Sequence, residues 1–357
     1  MLRKSHYLFI LLLLSCIGLK AQMTLSLKTK DYGFGENGYY YGEVIDKRAS
    51  KYFLGKLYTR NGTKSDLEIR SGTERAFLNQ TEDNFQKRSN GVVLIAEITD
   101  LAFTETRNNS GLINGRANMN LNIYSVHEGD TSLLCKPYSS SRYQRTLNNL
   151  KEESFEPILN QMWFSCLEFA DNYIKLNKSR IEAFNEGVDI IIKPYETRNN
   201  RDTVHYNSRK VTWNDFKAPP RMGSRYAAAI FPTIALGSKL TIRNGRLTAI
   251  ISPQVFMIQS QSWAKGEAKN KESLEHEQIH FDITKVVMDR LIMKLRNIQA
   301  TTMDDLNSYI QYEYLEAFRE MNKLQEAYDA ESNHNLNKVK QAEWARRVSG
   351  WLSERNF

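Results

Sequence analysis

His276, Glu277 and His280 follow one another as His-Glu-x-x-His, a spacing suited to metal chemistry. Four residues make a little more than one helical turn, so on a helix the two imidazoles lie on one face, one above the other. Two neutral ring nitrogens so placed can share a tetrahedral Zn2+. Glu277 lies about 100° round the helix from His276, toward the coordination position that a catalytic zinc leaves open. There its carboxylate can act as general base on a metal-activated water. The pattern is short, and two surface histidines with an incidental glutamate would be spelled the same way, so the surrounding elements decide its weight.

Those elements favour a helix. No proline or glycine falls between Asn270 and Asn297, and Leu274, Ile279, Ile283, Val286, Val287, Leu291 and Leu295 recur near helical spacing. Ser273 or Asn270 can cap the start, and Lys294 and Arg296 suit the negative end of the helix dipole. A second helix is expected from about Met303 to Ser332. Leu306, Ile310, Leu315, Phe318, Met321, Leu324 and Tyr328 would form one apolar face packed on the motif helix. A last helix runs from Lys338 to Ser353. The strand expected just before the motif helix, Leu247 to Gln259, offers Val255 to Ser260 either as an open edge for a peptide backbone or as an ordinary buried strand.

The chain has 357 residues, of which 41% are hydrophobic, enough for two domains with real cores. Residues 1–21 read as a signal peptide: Arg3 and Lys4, a short apolar run from Tyr7 to Ser15, then Leu19-Lys20-Ala21 before Gln22. Leu13-Leu14-Ser15-Cys16 offers the alternative of a lipoprotein with Cys16 as membrane tether. Either route exports the chain, to the periplasm or beyond. The formal charge of +8 falls to +5 when Arg3, Lys4 and Lys20 leave (8 − 3). Basic residues form no concentrated stripe, so nucleic acid is not an expected partner. Cys135 and Cys166 can pair as a disulfide or remain buried thiols. Oligomeric state is not legible.

An α+β fold follows, with residues 22–183 as a sheet-plus-helix domain and residues 184–357 carrying the motif. Strands are expected at Tyr39–Ile45, Tyr52–Tyr58, Val92–Phe103, Ile113–Val126 and Ser132–Leu134, then a long amphipathic helix from Phe155 to about Asn185. Alternation from Ala117 to Ile123 marks a half-buried strand. No chemistry is visible in this region; His127 falls in a turn and reads as a surface residue. In the second domain, strands are expected at Val188–Lys193, Val204–Trp213 and Lys239–Arg243, beside an apolar run from Tyr226 to Leu236.

Val211-Thr212-Trp213-Asn214-Asp215-Phe216, then Ser262-Trp263, then His276-Glu277-Gln278-Ile279-His280-Phe281-Asp282, then Tyr328-Asp329-Ala330-Glu331-Ser332-Asn333-His334 occur in that order. This resembles the DUF922 family of bacterial secreted proteins, described as predicted zinc-dependent proteases of the zincin type. The resemblance covers roughly residues 184–357. It implies a zincin-like metallopeptidase domain with Zn2+ held by His276 and His280, Glu277 as general base, and a peptide or protein as substrate. The tail departs from the family pattern at Ser332 and at Asn335, where the pattern has threonine and glycine.

A catalytic zinc keeps three protein ligands. His334, in the matching tail, is the favoured third; Glu331 and Asp329 are the alternatives. Asp282 can orient a ligand imidazole or simply face solvent. Trp213, Asp215 and Trp263 read as structural, the aspartate capping backbone amides in a turn. Tyr226 or Tyr328 offers a hydroxyl to a substrate carbonyl, though core or rim packing suits both. His205 lies in a strand. From another functional class, a non-enzymatic cell-envelope module with a structural metal remains open, as does zinc hydrolysis of a non-peptide amide.

Overall fold

The motif helix is apolar on more than one side, which requires neighbours on more than one side. The computed structural model describes residues 23–35 and 37–354, and supplies them. The expected leader and Cys16 lie outside these residues. Among the described residues no helix is long and apolar enough to cross a membrane. The chain is α+β and divides into two compact units, the first ending at Leu176 and the second beginning at Asn177. The expected boundary at 183/184 lies seven residues later. Residues 178–184 belong with the second unit because the Ser179 carbonyl accepts from Gly245 N–H at 3.0 Å and the Glu182 carboxylate accepts from Met303 N–H.

In its described residues the first unit is a mixed eight-stranded sheet with two α-helices. Its strands are β1 (Met23–Leu25), β2 (Tyr39–Asp46), β3 (Gly55–Tyr58), β4 (Lys64–Ile69), β5 (Val92–Arg107), β6 (Ile113–His127), β7 (Asp130–Cys135) and β8 (Tyr138–Arg145). The order is β1-β4-β3-β5-β6-β7, with β2 parallel to β5 and β8 antiparallel to β6. Helix α1 (Thr73–Glu82) was not expected, and α2 (Glu156–Asn177) ends eight residues before the expected limit. Along β6 the expected alternation holds: Ala117, Met119, Leu121 and Ile123 are buried, and the asparagines between them are half-exposed. Cys135 and Cys166 are both buried free thiols.

The second unit stacks a four-stranded sheet and three helices. Strands β9 (Val188–Ile192), β10 (Thr203–His205), β11 (Ala228–Ala229), β12 (Pro232–Arg243), β13 (Arg246–Ile258) and β14 (Trp263–Ala264) precede α3 (Lys271–Leu295), α4 (Met303–Ser332) and α5 (Lys338–Ser353). Central β13 pairs with β12 along nearly its whole length and with β9 and β10 on its other side. Val255 to Ser260 therefore offers no open edge. β13 is paired on both edges and buries one face, with Leu247, Ala249, Ile251, Val255 and Met257 buried and Ile250, Ser252, Gln254 and Phe256 between them half-exposed. Among the described residues β11 pairs with β14 alone, as a separate two-stranded ribbon.

Helix α3 begins where Asn270 caps it, its side-chain oxygen accepting from Ser273 N–H at 2.8 Å. One face packs Phe281, Val287, Met288, Leu291 and Leu295 against the β13 sheet. The opposite face packs Ile279, Ile283 and Val286 against Tyr328 of α4 and Trp344 and Val348 of α5. Each such fully buried side chain contributes about 1.5–3 kcal/mol relative to exposure, so the helix carrying the motif is anchored on two faces. The expected apolar face of α4 holds only in part. Leu306, Ile310, Met321 and Tyr328 are buried, but Leu315 and Phe318 stand 55% and 38% exposed.

Candidate metal centre

The two motif imidazoles point into one site. His276 Nε2 and His280 Nε2 are 3.3 Å apart. Asp329 Oδ1, from the last turns of α4, lies 3.2 Å from the first and 3.0 Å from the second. Four-coordinate zinc with bonds near 2.0–2.1 Å sets its ligand atoms about 3.3 Å apart, so the triangle has the size of one face of such a polyhedron. Among the described residues this is the one group of three or more His, Cys, Asp or Glu side chains whose ligand atoms converge closely enough to hold a metal ion.

What surrounds the rings fixes their tautomers. His280 Nδ1 contacts Gln325 Oε1. The orientation of that amide is set by its nitrogen, which donates to the His280 carbonyl at 3.0 Å and to Thr284 Oγ1 at 3.1 Å. His276 Nδ1 lies 3.2 Å from Gln341 Oε1, which also accepts the Tyr328 hydroxyl at 2.7 Å. Both amide oxygens accept, so both Nδ1 atoms carry the proton and both Nε2 atoms present lone pairs. Two lone pairs and a carboxylate oxygen within 3.3 Å repel one another unless a cation or a shared proton lies between them.

The electrostatics of the cluster carry the same tension. Burial disfavours a charged His280, but the hydrogen bond and charge of Asp329 outweigh it and hold the imidazole above its ordinary pKa. Burial likewise opposes ionisation of Asp329, and the hydrogen bonds and charges of His276 and His280 overcome it, keeping its carboxyl well below the usual carboxylate range. The rings are held between helices: the Tyr328 ring stacks on His276 at 4.7 Å and meets His280 edge-on at 4.8 Å.

Glu277 is buried and faces the same cleft, and its Oε2 accepts the Ile230 N–H at 2.8 Å. Burial pushes its carboxyl above the ordinary value, with the neighbouring His280 and His276 and the Ile230 amide pulling the other way. A carboxylate so poised suits a general base. The cleft has a volume of about 940 Å3 and reaches from Arg225 and Tyr226 past the histidines to Phe231 and Phe318.

His334, the favoured third ligand, is not in the convergent group; Asp329 takes that place. The cause is the backbone. Asn333, His334 and Asn335 have φ of 48°, 50° and 72°, so α4 stops abruptly and His334 leaves its axis. The His334 ring packs tilted against Tyr226 at 4.7 Å, with Nδ1 3.5 Å from Asp329 Oδ1. Glu331 turns to the far side of α4 and accepts the Trp344 indole N–H at 2.9 Å. Asp282 neither orients an imidazole nor faces solvent: it accepts from Tyr206 at 3.0 Å and Gln278 at 2.7 Å. Asp215 caps its turn, closing a capping box with Thr212, and Trp213 packs on Phe216 at 4.9 Å. His205 is buried against Phe256. The residues missed by sequence reasoning are Gln325 and Gln341, which bear no motif; only their spacing, Gln325 one turn before Asp329, could have flagged the first.

No family model matches the chain. No curated protein matches it. Among solved structures, a hypothetical protein from Chlamydia trachomatis is similar over 24% of this chain and 56% of its own length, at 10% identity and a TM-score of 0.18. The chain thus spans little more than half of that structure, and a score this low carries no argument about fold or function.

Proposed function

We propose that the second unit is a zinc-dependent hydrolase of peptide bonds, with His276, His280 and Asp329 as metal ligands and Glu277 as general base. The observation that carries the reading is the convergence of three acceptor atoms within 3.3 Å, each histidine backed by a glutamine oxygen. Two imidazoles and one carboxylate are a donor set suited to zinc, and three protein ligands beside an open cleft leave a position free, as catalytic sites do and structural sites do not. When bound, zinc polarises the scissile carbonyl and makes water a stronger acid. Glu277 takes the proton from the attacking water and passes it to the leaving amine. Ile230 holds Glu277 from the cleft wall by its amide. Tyr226 and His334 stand on the rim, within reach of a substrate oxygen.

The open side of β11 supports a peptide as substrate. In the β11–β14 ribbon Lys265 N–H donates to the Ala227 carbonyl at 2.9 Å, whereas Ile230 N–H turns the other way, to Glu277. Backbone groups alternate sides along a strand, so the N–H and C=O of Ala228 lie on the Glu277 side. An extended peptide can pair there. The exported location read from the leader remains part of the proposal.

The deciding experiment is metal analysis of the purified protein together with hydrolysis of a peptide mixture. The reading requires zinc near one equivalent, none in His276→Ala, and cleavage abolished by chelation and restored by zinc. A wild-type protein that binds no metal refutes it.

A further inference from the structure

We infer that one arm of the cleft is a side-chain pocket, built by Phe231, Phe318 and Met321, which selects peptides carrying a bulky apolar residue two to three positions from the scissile bond. This rests on the hydrolase reading and narrows its substrate class.

The argument begins with exposure. Phe231 and Phe318 are 44% and 38% exposed, and both line the cleft. Two half-open phenylalanines in a concave site are an apolar surface awaiting a partner, not a surface to leave wet. Met321 lines the same cleft and is only 4% exposed. The two walls are tied together: the Tyr314 hydroxyl of α4 donates to the Ile234 carbonyl of β12 at 3.0 Å, so the start of β12, with Phe231 just before it, runs beside the middle of α4.

Helix geometry then gives the distance. Phe318, Met321, Gln325 and Asp329 follow one another at steps of three or four, hence along one face of α4. Gln325 stands level with His280, which it contacts. At about 1.5 Å rise per residue, Met321 lies about 6 Å and Phe318 about 10 Å beyond that level. An extended peptide advances about 3.3 Å per residue, so a chain paired with the open side of β11 brings its second or third residue from the metal into this arm. The opposite arm is mixed, lined by Arg225, His334 and Asn335 together with Tyr226 and the exposed Leu336, so the preference is assigned to the Phe231 side alone.

The test uses the full-length zinc-loaded protein and two series of peptide hydroxamates, one extending from each side of the chelating group. Each series carries Phe, Ser or Asp at the second and third positions, and affinity is read by calorimetry. In one series Phe binds about tenfold or more tighter than Ser, and the advantage disappears in both Phe231→Ala and Phe318→Ala while the Ser peptide binds those variants as it binds wild type. Equal affinity for all three residues in both series, or an advantage that survives both substitutions, overturns the pocket and leaves the metal centre standing. Failure of every hydroxamate to bind removes the metal centre itself, and the pocket with it.

Discussion

Gln325 grips His280 twice: its side-chain oxygen meets the ring at Nδ1, and its nitrogen donates to the His280 backbone carbonyl at 3.0 Å. One side chain from α4 thus fixes both the position and the protonation of a ring on α3. A partner of this kind typically contributes 10–100-fold to metal affinity. Gln325→Ala is expected to weaken zinc binding by about that factor while leaving the helical circular dichroism unchanged, and competition with a fluorescent chelator measures it. Unchanged affinity would show the contact to be incidental.

His334 and Asp329 make opposite predictions. Asp329→Ala removes one of the three converging atoms and should abolish stoichiometric zinc. His334→Ala should retain it, because the ring packs against Tyr226 and is not part of the triangle. Inductively coupled plasma analysis of both variants after dialysis decides between them, and the reverse result would restore His334 as the third ligand.

Glu277→Gln preserves shape and the acceptor for Ile230 N–H but cannot accept a proton from water. General-base removal costs roughly 10²–10⁴ in rate. The variant should bind zinc like wild type and hydrolyse peptide more slowly by that order. Activity within twofold of wild type would remove Glu277 from the mechanism.

Asp215 supplies a pH dependence. Burial would raise its carboxyl, but the side chain of Arg209 and the Thr212 backbone and hydroxyl outweigh burial and lower it. Its folded pKa is therefore below its unfolded value, near 3.9. The stabilisation is complete above the unfolded pKa and fades as pH falls through the folded one. Asp215→Asn should lower the melting temperature at pH 7, and the gap from wild type should narrow as the pH falls below the unfolded value of about 3.9. A gap independent of pH would assign the effect to packing instead.

Much of this architecture was legible beforehand. Helices α4 and α5 have the expected limits because Thr302 and Asn337 cap their starts and no glycine or proline interrupts α4. The motif histidines were legible because a four-residue spacing needs no tertiary information. Asp329 was not separable from Glu331 or His334. Two residues along a helix turn a side chain by about 200°, and which way α4 rolls on α3 depends on packing: Tyr328 and Ser332 are fully buried, whereas Leu315 and Phe318, equally apolar in the sequence, are not. Strand β8 was missed because Tyr-Ser-Ser-Ser-Arg-Tyr-Gln-Arg has the composition of a loop; its eight residues are strand only through their register with β6. Of the two readings of Val255 to Ser260 the buried strand holds, and the sequence could not choose it because an apolar strand reads alike whether its flanks are open or paired.

Gln341 sits on α5, downstream of every converging ligand, yet it holds His276. During synthesis all three ligands leave the ribosome before the residue that steadies the first of them. If the centre holds an ion as proposed, a nascent or clipped chain ending near Asn337 would carry the full set of donors but, lacking Gln341, release the ion faster than the finished one.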